Sequence, residues 1–121
     1  MFKLERIEHF EDWYVVTDKI GEFETIELAI MAFRDEYTRT SQGLSPHGLN
    51  SYIQDTFGTN ETDEIDDYSM GLMLRLQEDE YEIASSHFAY DYKTGAIESN
   101  PNIEIVEWLA EGERKQLRGQ L

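Results

Sequence analysis

The chain contains no cysteine, no long apolar run and few basic side chains. The lack of cysteine excludes disulfide frameworks, zinc ribbons, iron–sulfur ligation and thiol nucleophiles. No stretch approaches the roughly 20 apolar residues of a membrane-spanning helix. The first residues, Met1–Arg6, alternate charged and apolar side chains and lead into no apolar segment of the secretory type. These features predict an intracellular, cytoplasmic protein without a membrane partner.

Motifs for catalysis and cofactor binding are also missing. There is no nucleophile elbow, and Gly43 and Gly48 lack the following lysine and hydroxyl residue of a phosphate loop. The acidic run Asp63–Asp67 lacks the ligand order and central glycine of an EF-hand. The three histidines lie far apart, without metal-ligand spacing: His9, His47 and His87. We therefore expect no enzyme, no cofactor and no dedicated metal site.

The remaining composition is that of one folded domain. The 121 residues are 40% hydrophobic and 12% aromatic, enough apolar surface to offset the entropy of the chain despite its charge. We expect a single acidic domain over residues 1–121.

Strand patterns dominate the first 21 residues. The bulky run Trp13–Val16 favours a strand, and two strands with a turn near His9–Asp12 are predicted within Phe2–Thr17. A further turn is predicted at Asp18–Gly21.

Two helices are predicted next. Thr25 is a candidate N-cap, and the apolar residues after it recur at helical spacing to about Thr38. Ser45 and Pro46 form a second helix start, and Gly58 ends that helix.

The second half returns to a period of two. Tyr68–Gln77 alternates apolar and polar residues as a strand does, and Glu78–Glu80 forms a turn. A strand over Tyr81–Tyr92 then leads through a hairpin at Lys93–Gly95 to a short strand at Ala96–Glu98.

The last element is predicted as a helix that begins at Asn100–Pro101 and includes Leu117, although Ile103–Trp108 could also begin as a strand. The resulting order, β-β-α-α-β-β-β-α, predicts an α+β domain. Its antiparallel sheet has about five strands, with the helices packed on one face.

Negative charge is the most unusual property of the sequence. The 26 acidic and 10 basic residues give a formal net charge of -16. Residues 61–113 carry 15 acidic and two basic side chains, a net of -13. A domain of this length is about 35 Å across, and that length of duplex carries on the order of 20 phosphates, half of them on one face. The net charge of -13 on residues 61–113 is of the same order as the number of phosphates on one face.

This match suggests a module that occupies the basic surface of a nucleic-acid-binding protein and does not itself bind nucleic acid. Two forms stay open, a DNA-mimic inhibitor and an immunity protein that inhibits a nuclease. The candidate partner-binding residues comprise carboxylates and two tyrosine anchors. They are Glu61, Asp63, Glu64, Asp66, Asp67, Tyr68, Glu78, Asp79, Glu80, Tyr81 and Glu82.

Two alternatives compete with this interpretation. The first is an acidic domain whose solvated charge has no specific role beyond solubility or salt adaptation. The second is a small-ligand module or a hydrolase that uses a pair of carboxylates. Carboxylates gathered on one side of the domain would favour a module that binds a basic surface. A concave pocket with converging polar groups would favour an enzyme.

Overall fold

A computed structural model describes residues 1–10, 14–42, 70–91, 96–97 and 102–119. In chain order the elements are β1 (Phe2–Phe10), β2 (Tyr14–Phe23), α1 (Ile26–Ser41), β3 (Met70–Glu78), β4 (Tyr81–Asp91), β5 (Ala96–Ile97), β6 (Ile103–Ile105) and α2 (Glu111–Arg118). The predicted helix from Ser45 to Gly58 lies outside the described residues. No helix in the described ranges is long and apolar enough to span a membrane.

All strand pairs in the sheet are antiparallel. The strand order is β2-β1-β3-β4, and β5 and β6 both pair with β4 beyond it. The sheet is therefore five strands wide, and the predicted α+β class is confirmed. The pairs β1–β2, β3–β4 and β4–β5 are neighbours both in the chain and in the sheet, as short connections between antiparallel strands allow.

The core lies between the sheet and the helices. Leu72, Leu74 and Leu76 alternate along β3 and are fully buried, as the period of two requires. They form one cluster with Ile30 and Phe33 of α1 and with further residues of both helices and the sheet. Both helices therefore cover the same face of the sheet, as the sequence pattern predicts.

The predicted turn at Asp18–Gly21 is wrong. These residues continue β2 to Phe23, paired with β1, and a register shift opposite Leu4 and Glu5 absorbs Ile20 as an extra residue. The turn-like composition is accommodated as a β-bulge, which strengthens the local twist without ending a strand. A Cβ on Gly21 would lie 2.9 Å from the ring of Phe23, so the close packing of that ring requires glycine.

Helix α1 begins as predicted. The Thr25 hydroxyl accepts a hydrogen bond from Leu28 N at 3.3 Å, and Glu27 lies in the first turn, where it interacts favourably with the helix dipole. The helix continues to Ser41, beyond the predicted end near Thr38.

The predicted start of the last helix at Asn100–Pro101 is wrong. Ile103–Ile105 pair with β4 as strand β6, the alternative left open by the sequence, and the helix begins at Glu111. Ile103 and Ile105 alternate along β6 and pack against the core, and this burial favours the strand over the helix. Arg34 of α1 donates to Leu117 O at 3.0 Å and so satisfies a carbonyl at the end of α2.

Candidate functional site

One end of the sheet brings together the ends of five strands. Phe2 at the start of β1 pairs with Phe23 at the end of β2 and with Glu78 at the end of β3. Glu78 pairs in turn with Tyr81 at the start of β4. Strand β6 ends at this side too, because Val106 N donates to Ile83 O at 3.0 Å. With strands about 4.8 Å apart, the five ends span about 19 Å.

The connections at this end are rich in carboxylates, and we call this surface the acidic end. They come from the end of β2, the β2–α1 connection and the first turn of α1, from the β3–β4 hairpin, and from the connection after β6. The acidic end comprises Glu22, Glu24, Glu27, Glu78, Asp79, Glu80, Glu82 and Glu107.

Two of these carboxylates have a cation nearby. Lys19 Nζ lies 3.3 Å from Glu22 Oε1, and the amino group of Met1 lies 3.5 Å from Asp79 Oδ1. The other six form no ion pair with any residue of the described ranges. Of these six, Glu24, Glu27, Glu80, Glu82 and Glu107 are exposed. Exposed carboxylates without a cation close by are only weakly screened at low salt.

Two exposed aromatic side chains lie at the same end. Tyr81 is 73% exposed and Trp108 is 63% exposed. The aromatic rings of Phe2, Phe23, Phe33, Tyr37 and Phe88 instead pack in or against the core. Of the aromatic side chains whose burial is described, Tyr81 and Trp108 alone are more than half exposed.

The structure places part of the predicted partner site in one hairpin. Glu78, Asp79, Glu80, Tyr81 and Glu82 lie at or beside the turn between β3 and β4. Asp79 adopts a left-handed backbone with φ of 55°, which aspartate tolerates in tight turns. The other predicted site residues lie outside the described ranges and stay a prediction: Glu61, Asp63, Glu64, Asp66, Asp67 and Tyr68.

The rest of the acidic end was not predicted from the sequence. Glu22, Glu24 and Glu27 are more than 50 positions from the hairpin in sequence, and only strand pairing brings the segments together. Glu107 and Trp108 were included in a predicted helix. A sequence signal for these residues was available, because most of them lie at or next to the end of a strand pattern.

A second polar region lies under α1, between the helix and the sheet. Glu8 of β1 is 2% exposed and Glu36 of α1 is 5% exposed, and Thr40 is also buried. Arg6 Nη2 donates to Glu36 Oε1, which joins β1 to the helix. We call Arg6, Glu8, Glu36 and Thr40 the buried polar cluster.

The positions of this cluster are those that normally carry apolar residues. Arg6 and Glu8 continue the inward-facing row of Phe2 and Leu4 along β1, and Glu36 lies on the same helical stripe as Phe33. Buried charges of this kind require a partner, and the arginine supplies one. The cluster therefore fixes how α1 sits on the sheet.

The described surface also has two shallow clefts. One of about 200 Å³ lies beside Lys3, Glu22 and Asp79, and another of about 270 Å³ lies beside Tyr37 and Ser41. Pockets that enclose a small ligand usually measure about 300–1,000 Å³. Within residues 1–10, 14–42, 70–91, 96–97 and 102–119, no three His, Asp or Glu side chains are grouped to hold a metal ion.

No protein-family model, curated protein or solved structure matches this chain. Its function therefore has to be inferred from the chemistry of its own surfaces.

Proposed function

We propose that this protein is an acidic protein-binding module whose acidic end occupies the basic surface of a nucleic-acid-binding protein. The observation that carries the proposal is the gathering of carboxylates from three separate connections at one end of the sheet. Of the 17 acidic residues in the described ranges, eight lie at this end, and a surface with one sign of charge attracts a partner of the opposite sign.

The density of charge supports the comparison with nucleic acid. The acidic end carries eight carboxylates across a width of about 19 Å. The same length of duplex DNA carries on the order of 11 phosphates, and about half of them face one side. A groove that binds the phosphates of one duplex face would therefore meet a similar number of negative charges on this surface.

Complementary fields would give such a complex rapid, salt-sensitive association. The exposed rings of Tyr81 and Trp108 add contact area that charge alone does not supply, and both residue types are enriched where truncation weakens interfaces most. The carboxylates would thus set the rate of encounter, and the rings would hold the bound state.

Two biological roles fit this proposal equally. A DNA mimic would compete with nucleic acid for a DNA-binding protein, and an immunity protein would block a nuclease in the same way. Both predict that the acidic end and nucleic acid exclude each other from the partner.

The proposal is tested by capture and competition. The immobilised protein is incubated with host-cell lysate at low salt, and bound proteins are released first with duplex DNA and then with rising salt. We expect a basic nucleic-acid-binding protein or nuclease in the DNA-released fraction. A captured protein that duplex DNA fails to release would contradict binding through the nucleic-acid surface, and no enrichment of basic proteins would favour a solvated acidic surface without a specific role.

A further inference from the structure

The two margins of the described sheet differ in length. One margin is formed by β5 and β6, which have two and three residues and both pair with β4. The other margin is β2, a strand of ten residues, and its one partner among the described strands is β1. An edge strand presents a row of backbone N–H and C=O groups that can pair with another strand. Strand β2 is therefore the long pairing edge of the described sheet.

The middle of β2 is open to solvent on both faces of the sheet. Thr17, Asp18, Lys19 and Ile20 follow one another along the strand, and all four are exposed. Because successive side chains of a strand point to opposite faces, four exposed residues in a row show that neither face is covered here. A second strand can therefore approach this edge without displacing a packed side chain.

The charge of this edge favours a second copy of the chain as its occupant. Residues 14–21 carry one acidic and one basic side chain, so they are neutral in a chain with a net charge of -16. A basic partner would be drawn to the acidic surfaces and gains nothing from a neutral edge. Two copies repel each other where both are acidic, and the edge of β2 lets them meet without opposing those surfaces.

A two-fold axis fixes the register of such a pair. In an antiparallel pair of identical strands, the residues lie opposite one another about one central residue. An axis at Asp18 or Lys19 would place like charges directly opposite each other, which destabilises the pair. An axis at Thr17 pairs Val16 with Asp18 and Val15 with Lys19, so no like charges are opposed. An axis closer to the start of the strand would leave fewer residues paired.

We propose that β2 pairs with the β2 strand of a second copy about Thr17, which joins the two described sheets into one continuous antiparallel sheet. Because the two strands run in opposite directions, the acidic ends of the two copies lie at opposite ends of the joined sheet. Both acidic ends stay open in this dimer. The inference does not depend on the proposed function, since it uses a different edge of the sheet.

The first test is the association of the wild type with itself. The dimer dissociation constant is measured by sedimentation equilibrium of the whole chain over a range of protein concentrations. We expect a monomer–dimer equilibrium that tightens by about three-fold or more from low to high salt, because salt screens the repulsion between two acidic copies. A wild type that stays monomeric at every concentration and salt would overturn the inference.

Two lysine variants separate the edge from the net charge. Thr17→Lys places two lysines opposite each other at the axis, so it should weaken the dimer about three-fold to ten-fold although it lowers the net negative charge. Asn102→Lys makes the same change in charge at an exposed residue beside β6, on the opposite margin, and should not weaken the dimer. Equal effects of the two substitutions would mean that β2 is not the interface.

A mixture of two variants tests the two-fold axis itself. Thr17→Glu alone should also weaken the dimer, because it too places like charges at the axis. An equimolar mixture of Thr17→Lys and Thr17→Glu should form a heterodimer at least about three-fold tighter than either homodimer, since lysine and glutamate then lie directly opposite each other. Circular dichroism and urea unfolding confirm that each variant folds. A mixture that associates no more tightly than the separate variants would contradict pairing about Thr17.

Discussion

The acidic end and the buried polar cluster use the same side chain, glutamate, in opposite ways. In the buried polar cluster, Glu36 is enclosed and bound to Arg6, which ties the helix to the sheet. On the face of the sheet opposite the helices α1 and α2, the buried Glu5 similarly lies 3.2 Å from Arg75 and 3.6 Å from Lys3. At the acidic end, six of the eight carboxylates have no cation among the described residues.

This difference indicates where charge supports the fold and where it is available to a partner. A buried carboxylate is tolerated only when a cation and hydrogen bonds compensate its lost hydration. An exposed carboxylate keeps its hydration and contributes little to stability, and carboxylates close together repel one another. Substitutions in the buried polar cluster should therefore change stability, and substitutions at the acidic end should change binding.

The largest expected effect comes from Arg6→Met. The substitution leaves Glu36 buried without this cation, which should lower the free energy of unfolding by about 3–5 kcal/mol in urea titrations. Arg39→Met, on an exposed part of the same helix, is the control and should change it by less than about 0.5 kcal/mol. The double variant Arg6→Met/Glu36→Met should recover at least half of the loss, and a loss no larger than that of the control would show that the pair is not structural.

The next effect concerns predicted site residues outside the described ranges. If they contribute to the partner surface, Asp63→Asn/Asp66→Asn/Asp67→Asn should weaken the complex with the captured partner about ten-fold at low salt, because three charges are removed. The measurement is the dissociation constant at two salt concentrations. Unchanged affinity would remove Asp63, Asp66 and Asp67 from the site and leave the acidic end to act alone.

A smaller effect is expected where the C-terminal end of α2 is anchored to Arg34 of α1. Gly119 has a φ of 78°, and a Cβ there would lie 2.7 Å from Arg34 Nη2, so Gly119→Ala should cost about 1–2 kcal/mol of stability. Gly112→Ala is the matched control, because its Cβ would meet no atom within 4 Å. It should be neutral or stabilise by up to about 0.5 kcal/mol, and equal effects of the two substitutions in thermal unfolding would contradict this description of the anchor.

The smallest expected effect is a gain in stability at the acidic end. Glu80→Gln/Glu82→Gln/Glu107→Gln removes like charges that repel each other, so the free energy of unfolding should rise by about 0.5 kcal/mol at low salt. The gain should disappear at high salt, where exposed charges are screened. A loss of stability would mean that these carboxylates support the fold after all.

Local patterns in the sequence were sufficient for most of the elements. The alternation around Leu72–Leu76 and the capping hydroxyl of Thr25 predicted β3 and the start of α1, because both depend on neighbouring residues. The end of β2 could not be predicted in the same way. Residues Asp18–Gly21 have turn-like composition, and only their pairing with β1 keeps them in the strand.

The candidate site was less predictable than the fold for the same reason. The hairpin carboxylates are contiguous and were found, but Glu22, Glu24 and Glu107 join them only through strand pairing. Burial was hidden as well, because Glu8 and Glu36 look like any other acidic residue in a chain with 26 of them. The only local sign of their burial was that each occupies a position where the strand or helix pattern normally places an apolar residue.

The most direct test compares two variants with equal changes in charge. Glu80→Gln/Glu82→Gln/Glu107→Gln removes three of the eight charges of the acidic end, and Asp18→Asn/Asp35→Asn/Glu104→Gln removes three exposed charges elsewhere on the domain. The dissociation constant of each variant with the DNA-released partner is measured over a range of salt concentrations. We predict a loss of about ten-fold to a hundred-fold at low salt and a shallower salt dependence for the first variant, with little change for the second. Equal losses in both variants would show that only total charge matters and would contradict a binding surface at the acidic end.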